Sequence, residues 1–289
     1  MSDEGPSAIV VRGPAGLKMA LIDIGLVRHH EEVVPALLEE LTREIERDRL
    51  LKHPIIVDEA TFVILDGTHR VEALKALGCR RVAACLVDYM DPRIRLGCWY
   101  RTLRGLSSLP AIAEHLGREL GLRLKICRGL RPEDVGRPPV AVALTDGRLY
   151  IKVMANFESR REAWELVKKL ERALRSRGLE VGFEVEEDAM SKLANGEADA
   201  VLMTPRVLKS DVIETALSGH VFPHKTTRHE IPDRPLFLNV PLELLKADRP
   251  LEELRAEFSR LVSSKKARKL PPGSVINGRR YKESIFILE

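Results

Sequence analysis

Apolar residues along this chain alternate between helical and strand-like spacing. Val34, Leu37, Leu38, Leu41 and Ile45 recur three and four residues apart with Glu and Arg between them, which predicts an amphipathic helix with Pro35 in its first turn. The short apolar runs 54–57 and 62–65 flank the turn Asp58-Glu59-Ala60-Thr61 and predict two strands that fold back on each other. A helix over 70–77, closed by Gly78, and a strand over 82–87 follow. Further on, the pattern predicts helices over 111–121, 158–178, 187–195, 208–218 and 252–262, with strands over 122–127, 179–185 and 200–203. The strands 140–144 and 149–153 are joined by Thr145-Asp146-Gly147-Arg148, where Asp-Gly is a hairpin signal. This alternation argues for an α/β (α+β) fold, with a change of domain in the stretch 105–110.

Composition narrows the class. The 289 residues suffice for one large domain or two ordinary ones, and 44% apolar with 31% charged residues describes a folded, soluble chain. No apolar run approaches the ~20 residues of a membrane helix. The start MSDEGPSAIVV is acidic and lacks a basic leader segment, so a cytoplasmic protein is expected. Cys79, Cys85, Cys98 and Cys127 form no Cys-x-x-Cys pair and have no histidines at zinc spacing, so reduced thiols are expected rather than a metal knot or disulfides. The net charge of +4 is a mild excess over a dense mixture of both signs. It suits an anionic substrate and does not argue for a nucleic-acid surface.

Three clusters could carry chemistry. In Leu65-Asp66-Gly67-Thr68-His69-Arg70 a strand ends, a glycine turns the chain and a helix begins. Unpaired N–H groups and the helix dipole favour an anion there, and Arg offers a planar fork to phosphate oxygens. The ordinary alternative is a strand–turn–helix junction with Asp66 as the helix cap. Lys225-Thr226-Thr227-Arg228-His229, between Pro223 and Pro232, is a loop rich in donors for carboxylate or phosphate. In His29-His30-Glu31-Glu32 the choices are a general base, a metal ligand, or an acidic helix start. Trp99 is a pocket wall or core packing. The basic run Lys265-Lys266-Ala267-Arg268-Lys269 reads as a solvated helix end, with a nucleic-acid or phosphate contact as the alternative. No P-loop, dinucleotide glycine fingerprint or nucleophile elbow is present.

The ordered set His30-Glu31, Asp66–Arg70, Trp99-Tyr100 and Lys225–His229 resembles the free L-serine kinases of the ParB/sulfiredoxin superfamily, over roughly residues 18–245. The resemblance implies a ParB/sulfiredoxin-like nucleotide-binding domain at 1–108 and a second mixed α/β domain at 109–289, with the active site in the cleft between them. It implies phosphoryl transfer from ADP or ATP, with Mg²⁺, to the hydroxyl of L-serine. Glu31 would be the base. Leu65, Asp66, Gly67, Thr68, His69 and Arg70 would hold the nucleotide phosphates. Trp99, Lys225, Thr226, Thr227, Arg228 and His229 would hold the substrate. The relatives carry His at the position of Thr68, a departure inside the turn. The metal ligands and the oligomeric state stay open. A ParB-like DNA-binding regulator is the competing reading, but no helix-turn-helix pattern follows residue 110. Sulfiredoxin chemistry needs a cysteine in the turn, where this chain has Thr68.

Overall fold

The structure, a computed structural model, describes residues 8–289; the acidic first residues that argue against a secretory leader lie outside the described residues. Among the described residues no helix is long and apolar enough to cross a membrane. The fold is mixed α/β, as expected.

The chain forms two compact units that are not consecutive halves. One comprises Met1–Arg95, Ala216–Val221 and His229–Glu289, the other Leu96–Thr215 and Phe222–Arg228. The expected boundary at 108/109 falls inside the second unit. The C-terminal segment, grouped by the sequence with the second domain, packs with the first unit.

The first unit is built on a five-stranded sheet. Its order is Ala8–Arg12, Lys18–Asp23, Arg81–Val87, Ile55–Asp58, Ile64–Asp66. All neighbours are antiparallel except Ile55–Asp58 and Arg81–Val87, which run parallel. That parallel step uses the helix Thr68–Ala76 as its crossover, and so places a helix N-terminus directly after a strand end. Met19–Ile22, Ile55–Val57 and Val82–Cys85 are buried without alternation, the pattern of a sheet covered on both faces. The helix Pro35–Asp48 starts on Pro35, as the spacing predicts, and ends on Arg49 in a left-handed conformation. It packs against Thr68–Ala76.

The basic run departs from expectation. Ala267–Leu270 is a strand, paired antiparallel with Ile285–Leu288, which also pairs in parallel with Arg234–Leu236. Arg268 pairs with Glu289 at 2.8 Å and Lys269 with Asp233 at 2.7 Å, so two of its charges are neutralised within the unit. Leu236, Tyr281, Ile285 and Ile287 form a small core beneath this sheet.

The second unit is an antiparallel sheet in the order Glu180–Val185, Arg95–Arg104, Ala200–Met203, Val140–Thr145, Tyr150–Met154, Arg123–Cys127. The hairpin between Val140–Thr145 and Tyr150–Met154 is the one that Asp146-Gly147 predicts. The helix Arg160–Ser176 is capped by Ser159, whose hydroxyl accepts from the Glu162 N–H, and it buries Ala163, Trp164, Val167, Leu170, Ala173 and Leu174. Burying each large apolar side chain in that stripe contributes about 1.5–3 kcal/mol before entropy is counted.

Candidate active site

Gly67 makes the turn possible for two separate reasons. Its φ of +114° lies where a side chain is strained, and a Cβ there would stand 2.6 Å from Ile55 Cγ2. Gly67 is the N-cap of Thr68–Ala76, and no side chain caps that end. Asp66 therefore does not serve as the cap. Its Oδ2 accepts from Arg70 Nη2 at 2.8 Å and from Arg234 Nη1 at 2.5 Å. Burial acts to raise the Asp66 pKa, but the charges of Arg234, Arg70 and Arg279 outweigh it and hold the carboxyl far below the usual range. Arg70 also donates to the carbonyls of His53, at 3.1 Å, and Pro54. It thereby ties the strand end to the segment before Ile55–Asp58. Leu65 is buried and anchors the strand in the core.

Glu31 reaches the turn through its neighbours. The Arg28 N–H donates to Phe62 O and the Ile64 N–H to Arg28 O, so the segment before Glu31 runs beside the strand that ends in Asp66. Three residues past Glu31, the Val34 N–H donates to His69 Nε2 at 3.0 Å. That bond fixes the His69 tautomer with its proton on Nδ1. His30 is buried, and Glu31 Oε1 lies 4.0 Å from its Nε2. Burial lowers the His30 pKa against the opposing pull of Glu31 and of a hydrogen bond with the Ile64 backbone. The His30 ring meets His229 edge-on at 5.5 Å, and the His229 Nε2 is 2.8 Å from the Tyr89 hydroxyl. Arg234 Nη2 donates to His229 O at 3.4 Å. Within this unit the structure thus joins Glu31, Asp66, His69, Arg70 and His229 through His30, Val34, Tyr89 and Arg234. Thr68 opens the helix.

The second unit gathers the rest of the expected set. Lys225, itself in a left-handed conformation, holds its Nζ 4.0 Å from the centre of the Trp99 ring, and Arg228 lies 5.9 Å from it. Trp99 Nε1 donates to Thr227 O at 2.9 Å. Thr226 is buried and its hydroxyl donates to Pro223 O. Trp99 thus serves as a platform under two cations rather than as core filling.

Sequence reasoning missed the residue that shapes this loop. Arg101 is fully buried, donates to the carbonyls of Trp99, His224 and Lys225, and pairs with Glu171 at 2.5 Å. It lies between the rings of Trp164 and Phe183. Tyr89, Arg234 and Glu283 were also missed, since nothing in their local pattern separates them from ordinary surface or core positions. Cys79, Cys85 and Cys98 are buried thiols; burial pushes Cys85 up to about 12. Among the described residues no group of three or more His, Cys, Asp or Glu could hold a metal ion.

No protein-family model matches the chain. It is 30% identical over 234 residues to an ATP-dependent L-serine kinase of Staphylothermus marinus, covering 78% of this chain and 90% of that one. The chain belongs to the L-serine kinase family. An ADP-dependent L-serine kinase of Thermococcus kodakarensis, SerK, is 27% identical over 228 residues, covering 78% of this chain and 91% of that one. A solved structure described as a free serine kinase in complex with AMP shares the fold, with a TM-score of 0.65 at 24% identity over 81% of this chain and 97% of that one. The two L-serine kinase relatives differ in the donor their names give, ATP for one and ADP for the other.

Proposed function

We propose that this L-serine kinase family member transfers a phosphoryl group from ATP or ADP to the hydroxyl of free L-serine, giving O-phospho-L-serine as a precursor for cysteine. The serine oxygen attacks the terminal phosphorus, the bond from that phosphorus to the shortened nucleotide breaks, and Glu31 takes the hydroxyl proton. The observation that carries the assignment is the Val34–His69 hydrogen bond, which ties the Glu31 segment to the first turn of the helix after Gly67. A base and an anion site in one unit are the parts that phosphoryl transfer requires.

In this reading the turn Leu65–Arg70 belongs to a ParB/sulfiredoxin-like nucleotide-binding unit. Backbone N–H groups of Thr68 and His69, with the Thr68 hydroxyl, hold the phosphates. Asp66 and Arg70 act by fixing the turn, since both are engaged with each other. Lys225 and Arg228 on the Trp99 platform hold the serine carboxylate or the product phosphate, with Thr226, Thr227 and His229 setting the loop. Mg²⁺ carried on the nucleotide phosphates needs only one or two protein carboxylates. Glu31 and Glu32 are the carboxylates their segment offers, and the ion would neutralise phosphate charge. Both substrates are cytoplasmic solutes, and the reaction is placed there.

The test is direct. Purified protein with Mg²⁺, L-serine and either ATP or ADP should form O-phosphoserine, and Glu31→Gln should lower turnover by about 10²-fold or more with an unchanged melting temperature. Wild-type turnover in that variant would remove the base assignment. Absence of product with both nucleotides would remove the reaction itself.

A further inference from the structure

We propose that Glu283, near the C-terminus, is a positioning residue for the phosphate turn and acts through Arg234 on Asp66; this rests on the nucleotide reading of that turn. Arg234 is 2% exposed and Glu283 6%. Arg234 Nε donates to Glu283 Oε1 at 3.0 Å, its Nη1 to Asp66 Oδ2 at 2.5 Å and its Nη2 to His229 O at 3.4 Å. One guanidinium therefore links the C-terminal segment, the residue before Gly67 and the end of the Lys225–His229 loop. Because the guanidinium is planar, the direction of its Nε bond fixes where its two Nη groups point.

The charges alternate along this line: Glu283, Arg234, Asp66, Arg70. If Glu283 loses its charge, Arg234 is left with Asp66 as its one carboxylate partner among the described residues. The pair then redistributes, and Arg70 loses part of its hold on Asp66. A buried position serving stability alone would be filled as well by apolar side chains, which commonly match or exceed a buried ion pair. Glu283 Oε2 is buried with no hydrogen-bond partner among the described residues, so the compensation of the buried carboxylate falls on the Arg234 pair at Oε1. The segment around it is independently pinned. Ser284 Oγ donates to Asp233 Oδ1 at 2.8 Å, and Ile285–Leu288 is paired on both sides. The same segment brings a second cation towards the turn, since Arg279, stacked 4.7 Å from the centre of the Tyr281 ring, lies within electrostatic reach of Asp66.

The experiment compares full-length Glu283→Gln, Glu283→Asp, Ile287→Ala and Gly67→Ala by titration with ATP and ADP, steady-state kinetics and thermal melting. Glu283→Gln should raise the nucleotide Kd and KM about tenfold, with a smaller rise in the serine KM through the Arg234–His229 hydrogen bond. Glu283→Asp, which keeps the charge, should recover part of the loss and serves as the working variant if the glutamine variant fails to fold. Ile287→Ala cuts into the small core of Leu236, Tyr281, Ile285 and Ile287 and removes none of the groups bonded to Arg234; it should lower the melting temperature and leave nucleotide Kd unchanged. The proposal is overturned if both Glu283 variants bind nucleotide as the wild type does, or if Ile287→Ala shifts Kd as far as they do. Failure of the wild type to bind nucleotide, or wild-type affinity in Gly67→Ala, would instead defeat the reading of the turn. Binding lost in Gly67→Ala but kept in the Glu283 variants defeats this proposal alone.

Discussion

His53 carries a pH dependence that can be worked out from its contacts. Its Nδ1 accepts the Phe237 N–H at 3.0 Å, which requires that nitrogen to be unprotonated. Burial first, and then the charge of Arg70, lower its pKa from 6.5 to about 4. Between those values the unfolded chain binds a proton that the folded protein does not, so stability rises with pH across the window. Stability is therefore expected to be lost as pH falls from about 6.5 towards 4, by an amount on the order of 2 kcal/mol. Urea midpoints measured at neutral pH and near pH 4.5 read this directly, and His53→Asn should flatten the difference attributable to this residue. Identical slopes in both proteins would show that another group controls the window. Nothing in the sequence around His53 announces this role. Gly67 is the opposite case: a glycine between an apolar strand and a helix is readable as a required turn, and both its φ and its contact with Ile55 agree.

The elements that sequence patterning found are those with one apolar stripe or a clear turn signal. Arg160–Ser176 is legible because its buried residues recur at helical spacing. Val140–Thr145 and Tyr150–Met154 are legible because Asp146-Gly147 joins them. The strand Arg95–Arg104 was not, although it lies inside the sheet of the second unit, between Glu180–Val185 and Ala200–Met203. Its sequence, RLGCWYRTLR, carries three arginines and no clean alternation, so it resembles a boundary segment. The structure accommodates Arg101 there through Glu171, three backbone carbonyls and two aromatic rings. Those partners lie up to 124 residues away, which no local window can reveal. Arg101→Met should therefore leave Glu171 unbalanced and release the carbonyls of His224 and Lys225. The expected cost is about 3–5 kcal/mol, with a raised serine KM as the Lys225 loop loosens. Arg101→Lys should not rescue it, because an ammonium cannot span the same acceptors. A lysine variant with wild-type stability and serine KM would refute this account of the loop.

For the whole molecule, the discontinuous units explain what the sequence reading could place and what it could not. The turn and the donor-rich run Lys225–His229 were recognisable as local motifs, although Thr227–Glu230 is a strand where a loop was expected; Glu31 stood out only through the family resemblance. The grouping of the C-terminal segment with the first unit was not, because it depends on long-range contacts: Val240–Pro241 pairs with Leu50–Leu51, Arg234 with Asp66, and the Phe237 N–H with His53. Partners so far apart in sequence leave no turn chemistry to read. The consequence is that the last strand is part of a folded unit rather than an appendage. Removing residues 267–289 takes away both partners of the sheet beside Arg234–Leu236, uncovers Leu236, and strips Glu283 from the buried Arg234. Hydrogen exchange of the truncated protein should therefore quicken at 234–236 and around Gly67. Ala200–Met203, whose strand partners all lie outside the deleted segment, should keep its protection. If 234–236 exchanged as slowly as in the full chain, the strand pairing would contribute little to this unit, and the route from Glu283 to Asp66 would lose its scaffold. If instead exchange quickened at 234–236 but not at Gly67, the C-terminal sheet would stabilise its own neighbours without setting the phosphate turn.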